Sequence, residues 1–372
     1  MHANRALSSD PPITKSSRSR PIVAACRECT AQTQDQQQGD EAMGAQVAAI
    51  VAEWQPVLGR FARAVNRDLA GRAAALTAVF GILLLLAQMF GADPLPRSAW
   101  QELGIAAERP ALRRVYVRES AKLEDLFAVQ SYHLDDLIND DGLGVPRLAV
   151  TALPRDMARI DDAEARKALF LRTLLPLILQ ANRELRRARG KVIAALDAQA
   201  AGRLGATDAL WLQAVAEWYG AAPGNAADLL SRIDAVPPSL ALAQAAQESG
   251  WGTSRFALRA NALFGQRSWG DAAPGLAPKE AERDDFKVRA FPDLMSAVRS
   301  YLHNLNSHAA YQDLRDRRAK ARALGVPLHA QELVRGLKNY SEEGSDYVAA
   351  LSELIRSNRL QALDDLHLRP RR

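Results

Sequence analysis

Cysteine is nearly absent from this 372-residue chain: Cys26 and Cys29 are the two it has. No disulfide framework therefore holds anything beyond residue 29. The C-x-x-C pair lies among Ser, Arg, Gln and Asp, without the strand–helix setting of a redox motif or a second ligand pair for zinc. Aromatic residues make up 6% of the chain, and no basic stripe interleaves with them, which sets nucleic acid aside as a partner. There is no phosphate-cradling glycine loop, no nucleophile elbow and no internal repeat. His303 and His308 flank Asn304-Leu305-Asn306 without a third ligand nearby, so neither a metal nor a cofactor is expected. What is there is ordinary for a folded protein, with 48% hydrophobic residues, 24% charged residues and a net charge of +5. The length suits one large or two ordinary domains, and the basic excess suits an anionic surface such as a membrane or cell wall.

Residues 1–45 have no apolar period; runs such as Gln32 to Gln38 give them the composition of a disordered leader. Met43 is an alternative start that would remove it. Residues 46–72 form a basic segment carrying Arg60, Arg63, Arg67 and Arg72. From Ala73 to Ala92 there is no charge, and Thr77 and Gln88 are the polar side chains. At 1.5 Å per residue that run spans roughly 30 Å, the thickness of a hydrocarbon core. Arginines crowd its N-terminal flank and Asp93 follows its other end, so the positive-inside rule keeps the N-terminus cytoplasmic and sends the rest across. A single-pass inner-membrane anchor at 73–92 is the expectation; a cleaved signal peptide is the rival, with Phe90-Gly91-Ala92 a poor cleavage site.

Beyond the linker, helical spacing dominates, which makes the fold class mainly α. Helical patterns cover 110–140, a stretch opening at Asp161-Asp162 and carrying Pro176, Asp208 to Tyr219 and Ala226 to Ile233. Others run from Leu294 to His303, Tyr311 to Arg322, Ala330 to Leu337 and Tyr347 to Asn358. Strand character is confined to Arg147–Leu153 and to Phe286–Ala290, the latter closing a Gly- and Pro-rich loop at 268–290. The resulting division is a linker and helical N-terminal region at 93–235, a catalytic domain at 236–363 and a basic tail at 364–372.

One stretch differs in kind. Pro237 to Gly265 reads PPSLALAQAAQESGWGTSRFALRANALFG. Two prolines stop what precedes it, Ser239 suits an N-cap, and Leu, Ala and Gln continue as a helix buried nearly all round. Glu248 closes that helix. Apolar surroundings and the negative end of the helix dipole both disfavour its ionised form, which raises its pKa toward that of a general acid working near neutral pH. A solvated or ion-paired glutamate is the plainer alternative. The aromatic neighbours Trp251 and Phe264, with Tyr301 further on, suit sugar rings, whose C–H faces stack on aromatics; each also suits core packing.

The pair ALAQAAQESGWGTSRFA and NALFGQ resembles the glucosaminidase family of peptidoglycan hydrolases, glycoside hydrolase family 73. VPRLAVTALP, FLRTLLPLILQANRE, VRAFPDLMSAVRSYLHNLNSHAAY and YSEEGSDYV narrow the resemblance to the Bax-type branch, over roughly residues 143–363. It implies a lysozyme-like helical domain with a small irregular or β lobe, and hydrolysis of the β-1,4 bond after N-acetylglucosamine in cell-wall glycan strands. It implies Glu248 as catalytic acid and Tyr340 as the Tyr opening a Y-[AS]-[TS]-[DE] motif, with Ser341-Glu342 where Thr-Asp is common. Many members add a carboxylate from the β lobe. Glu280, Glu282, Asp284 and Asp285 lie in that region; Glu280 is taken as the second catalytic carboxylate, although a solvated loop face accounts for the cluster equally well. The expected whole is an inner-membrane enzyme with a periplasmic catalytic domain acting on peptidoglycan. Its rivals are a lytic transglycosylase and a non-catalytic wall-binding scaffold.

Overall fold

Asp162 begins the longest element in the computed structural model, which describes residues 99–106, 112–139, 144–269, 275–276 and 286–370. The expected leader, basic segment and membrane anchor lie outside those residues, as does Glu280. Among the described residues no helix is long and apolar enough to cross a membrane. In chain order the elements are α1 (Ala99–Glu102), β1 (Arg113–Val115), α2 (Ser120–Val129), α3 (Leu134–Asn139), β2 (Leu148–Val150), α4 (Ala163–Ala200), α5 (Ala206–Trp218) and α6 (Ala226–Arg232). There follow α7 (Pro238–Ser249), α8 (Arg255–Ala260), β3 (Arg267–Trp269), β4 (Gly275–Leu276), β5 (Phe286–Arg289), α9 (Leu294–Ser307), α10 (Gln312–Ala323), α11 (Ala330–Leu333) and α12 (Ser345–Ser357). The fold is mainly α.

The Asp162 side chain accepts hydrogen bonds from the backbone N–H groups of Glu164 (2.9 Å) and Ala165 (3.3 Å), capping α4. Pro176 lies inside this 38-residue helix and does not end it. Its apolar middle, from Leu169 to Asn182, is buried. That middle packs against α7, α9 and β2, so the longest helix is the wall on which the others are laid. The basic stretch after Asn182 continues as helix; Arg183, Arg186 and Arg187 are exposed, the amphipathic pattern of a surface helix.

Among the described residues, two small sheets complete the body. β1 and β2 pair in parallel, Arg113 opposite Leu148 and Val115 opposite Val150. β3, β5 and β4 form an antiparallel sheet in that order, with Arg267 opposite Val288 and Leu276 opposite Val288 on the other side. The expected strand at 286 is therefore present, with two partners that the Gly- and Pro-rich composition concealed. One hydrophobic core runs from Trp100 to Leu368, so the regions expected as 93–235 and 236–363 share an interior.

One expectation changes at the start of α7. Ser239 is not the N-cap: Pro237 occupies that position and Pro238 the first turn, where its missing N–H is no loss. The cap arrives from far along the chain. The Asp364 carboxylate accepts from the Ser239 backbone N–H and hydroxyl, both at 2.7 Å. Residues 364–370 of the expected basic tail are tied to the body. Leu368 bridges to Val145, and the Arg369 guanidinium donates to the carbonyls of Gly144 (3.2 Å) and Gln130 (2.9 Å).

Candidate active site

Helix α7 is buried from Pro238 through Ala246. Each fully buried leucine, Leu240 and Leu242, contributes about 1.5–3 kcal/mol, which fixes the helix and hence the direction in which its last turn points. That turn ends abruptly. Gly250, Trp251 and Gly252 all have positive φ, at 56°, 56° and 79°. Three left-handed residues in succession reverse the chain, and two of them are glycines, which adopt that conformation without strain. At Gly252 there is also no room, since a Cβ would stand 2.8 Å from Leu153 Cδ1 and 2.9 Å from Phe170 Cδ2. Ser249 locks the reversal, its hydroxyl donating to the Ala245 carbonyl (2.5 Å) and accepting from the Gly252 N–H (2.9 Å).

Glu248 is left half-buried at this corner. The Tyr347 hydroxyl donates to its Oε1 at 2.8 Å. Its other oxygen, Oε2, lies against exposed Gly265, where a Cβ would approach to 2.9 Å and φ is +62°. Burial pushes the carboxyl up from its ordinary value; the Tyr347 bond pulls it down, and the charge of Glu343 pushes it up again. The raised value expected from the sequence is thus present, with burial as its leading cause. A carboxyl whose protonated form is favoured by burial, with one oxygen accepting and the other beside open backbone, can donate a proton to a bound group.

Residues 224–360 match the glucosaminidase family, described as mannosyl-glycoprotein endo-beta-N-acetylglucosaminidase. The chain is also 31% identical over 219 residues to Protein bax of Escherichia coli (strain K12), covering 56% of this chain and 75% of that protein. The chain belongs to the glucosaminidase family. It is a glycoside hydrolase of the Bax type. Among solved structures it is similar to the catalytic domain of the autolysin Auto from Listeria monocytogenes, at 14% identity over 56% of this chain and 93% of that one. The TM-score of 0.32 is too low for that likeness to bear on the fold.

Within this glucosaminidase, the six residues singled out from the sequence fare differently. Glu280 lies outside the described residues. Trp251 is half-buried beside Glu248's turn, its ring edge-on to Phe170 (5.8 Å) with Lys167 Nζ 5.4 Å from its centroid. Tyr340 does not bond to Glu248; its hydroxyl donates to the Phe264 carbonyl (2.9 Å) and its ring stacks on Tyr347 (5.4 Å, 8°). Phe264 and Tyr301 are not sugar platforms. They stack on one another at 3.9 Å, with 3% and 0% of their surface exposed, so neither offers a face to a ligand.

Two residues that touch the site were missed. Tyr347, one residue before the end of YSEEGSDYV, is 2% exposed and makes the bond to Glu248. Gln244 is fully buried and donates from Nε2 to the Tyr347 oxygen at 3.1 Å. Gln244 carried a signal: a glutamine in an apolar helix, four residues before the acid, lies one turn back on the same face. Among the described residues no group of three or more His, Cys, Asp or Glu side chains stands close enough to hold a metal ion. His303 stacks on Trp218 at 4.0 Å.

Proposed function

We propose that this glucosaminidase is a membrane-anchored peptidoglycan hydrolase of lysozyme-like architecture. Its expected reaction is cleavage of the β-1,4 bond after N-acetylglucosamine in cell-wall glycan strands, with Glu248 as the general acid. The observation that carries the reading is the state of Glu248: a half-buried carboxyl with a raised pKa, bonded to a hydroxyl rather than to a cation. Its proton passes to the glycosidic oxygen as the C1–O bond breaks, and an oxocarbenium-like state forms on the sugar. Water then adds its oxygen to C1. Either a second carboxylate, for which Glu280 is the expectation, takes the proton that water loses, or the substrate's own N-acetyl oxygen first bonds to C1 and water then breaks that bond, giving its proton to the Glu248 carboxylate. Tyr340, through its bond to the Phe264 carbonyl, holds the loop that borders Glu248, and Trp251 is the aromatic group beside the acid that remains partly open to a sugar. The uncharged apolar run at 73–92 supports the anchor, and the arginines before it support a periplasmic catalytic region.

Replacing Glu248 by Gln keeps the shape and removes the proton. Dye release from labelled sacculi is expected to fall about 10²–10⁴-fold, the usual contribution of a general acid, with unchanged circular dichroism. Full activity in Glu248→Gln would end the assignment. Mass spectrometry of the products is expected to show reducing N-acetylglucosamine ends, whereas anhydro sugars would make the enzyme a lytic transglycosylase. Release of the full chain from membranes by carbonate washing would remove the anchor from the proposal.

A further inference from the structure

Behind Glu248 stands a line of hydrogen bonds with a direction. The Tyr301 hydroxyl, fully buried, donates to Gln244 Oε1 at 2.7 Å. The Gln244 amide nitrogen donates to the Tyr347 oxygen at 3.1 Å, and Tyr347 donates to Glu248 Oε1 at 2.8 Å. An amide has a donor end and an acceptor end, so the partner at one end decides what faces the other. With Tyr301 donating, the NH₂ group must face Tyr347; Tyr347 therefore accepts there, and its own proton goes to Glu248.

The reversed line would be worse at both ends. Gln244 is the hydrogen-bond partner of the Tyr301 hydroxyl among the described residues, so a Tyr301 that accepted from the amide would bury its proton without an acceptor. At the other end Glu248 would have to give its proton to Tyr347, turned inward and away from any substrate. Stacking on Phe264 holds the Tyr301 ring in place.

We propose that Tyr301 and Gln244 are positioning residues for the acid. Through Tyr347 they hold Glu248 with Oε1 as the accepting oxygen and Oε2, beside Gly265, as the oxygen that carries the transferable proton. The proposal rests on Glu248 being the general acid. A neutral carboxyl has one carbonyl-like and one hydroxyl oxygen, and a donor fixed on Oε1 assigns them. The groups around the site oppose no part of this. The tyrosines that feel the Glu248 charge, Tyr301, Tyr311, Tyr340 and Tyr347, are all held neutral chiefly by burial. The charged group acting on Glu248 is Glu343, a second acid.

The test is the pH dependence of kcat/KM and kcat on soluble glycan fragments for wild type, Tyr301→Phe, Tyr347→Phe, their double variant and Glu248→Gln, with unfolding temperature measured alongside. Activity requires protonated Glu248, so its alkaline limb reports that pKa. Tyr347→Phe removes a bond to the ionised carboxylate, so the limb is expected to move up by roughly 0.5–1 unit, with kcat down about 10-fold. Tyr301→Phe frees the amide to turn and Tyr347 to donate to it. Its limb is expected to move the same way by less, although Tyr301 makes no hydrogen bond to Glu248. The double variant is expected to match Tyr347→Phe alone, as members of one line do. A merely structural Tyr301 would lower the unfolding temperature and leave the limb where it is, and that result overturns the proposal. Should Tyr301→Phe fail to fold, Gln244→Met, which keeps the Tyr301–Phe264 stack, is judged by the same limb. An active Glu248→Gln would remove the acid assignment and this proposal with it; an inactive one with unmoved limbs removes the relay alone.

Discussion

Glu248 and Asp234 are both withdrawn from water, and the protein treats them in opposite ways. Asp234, 2% exposed, sits in a nest of arginines. Arg322 grips its two oxygens at 2.9 Å each, Arg189 stands 3.9 Å away, and the buried Arg318 donates to its backbone carbonyl. Burial pushes the Asp234 carboxyl up, and the Arg322 bond with the charges of Arg318, Arg322 and Arg189 more than reverses this, leaving it below the ordinary value. Glu184, 1% exposed, also lies against a guanidinium: Arg299 donates to its two oxygens at 2.8 and 3.0 Å, and the Trp100 indole donates at 3.0 Å. Glu248 receives a phenol and a neighbouring acid instead. A chain with 48 lysines and arginines does not lack cations to place there. The difference teaches that arginines more than offset burial at Asp234 and lower its carboxyl, whereas the single hydroxyl bond at Glu248 does not offset burial and leaves its carboxyl raised.

The comparison can be broken most forcefully at Asp234. Asp234→Asn leaves Arg318 and Arg322 without their counter-charge, and the expected loss is about 3–5 kcal/mol by urea unfolding, with activity per folded molecule unchanged. A loss below 1 kcal/mol would mean that the arginines do not need the carboxylate. Asp364 extends the comparison to a third acid. Its hydrogen bonds come from Ser239, and burial carries it up to about 6 against the pull of those bonds. An acid whose folded value is raised binds its proton more tightly when folded. Its ionisation therefore costs stability as pH climbs from about 4 to about 6. Wild type is expected to lose about 1–2 kcal/mol relative to Asp364→Asn across that window, measured by unfolding at successive pH values. The smallest effect concerns Glu343, the exposed acid that raises Glu248. Glu343→Lys exchanges a charge that favours the protonated form for one that opposes it. The alkaline limb of activity is expected to move down by about half a unit, and by less at high salt, because the pair is screened. A limb that moved upward would reverse the sign of the argument.

Much of this was legible in the sequence, and what was not has a common cause. Glu248 stood out because a carboxylate closing an apolar helix is a local anomaly. The reversal after it was announced by two glycines around Trp251. Local patterns also placed most of the helices, including the one that opens at Asp161-Asp162; the start of the expected helical stretch 110–140 is instead strand β1, because Arg113–Val115 pairs with a segment far along the chain. What failed depended on partners distant in sequence. Ser239 has the chemistry of a cap, but its hydroxyl is bound to Asp364. Phe264 and Tyr301 have the chemistry of sugar platforms, but each covers the other. Tyr340 and Tyr347 share a motif, and only the packing of α12 against α7 decides which of them reaches the acid. The line from Tyr301 to Glu248 draws on three helices and has no signature in any one of them.

The Asp364 cap also has a meaning in time. Helix α7 carries the acid, and the group that closes its first turn is made 125 residues after Ser239. As the chain emerges in order, α7 can form long before it is capped, and the Leu360–Leu363 turn that packs on it arrives just ahead of Asp364. The helix bearing Glu248 is finished only when residues 360–369 are in hand. A chain that has reached residue 359 therefore carries Gln244, Glu248 and Tyr347 but lacks the Asp364 bonds to Ser239 in the first turn of α7.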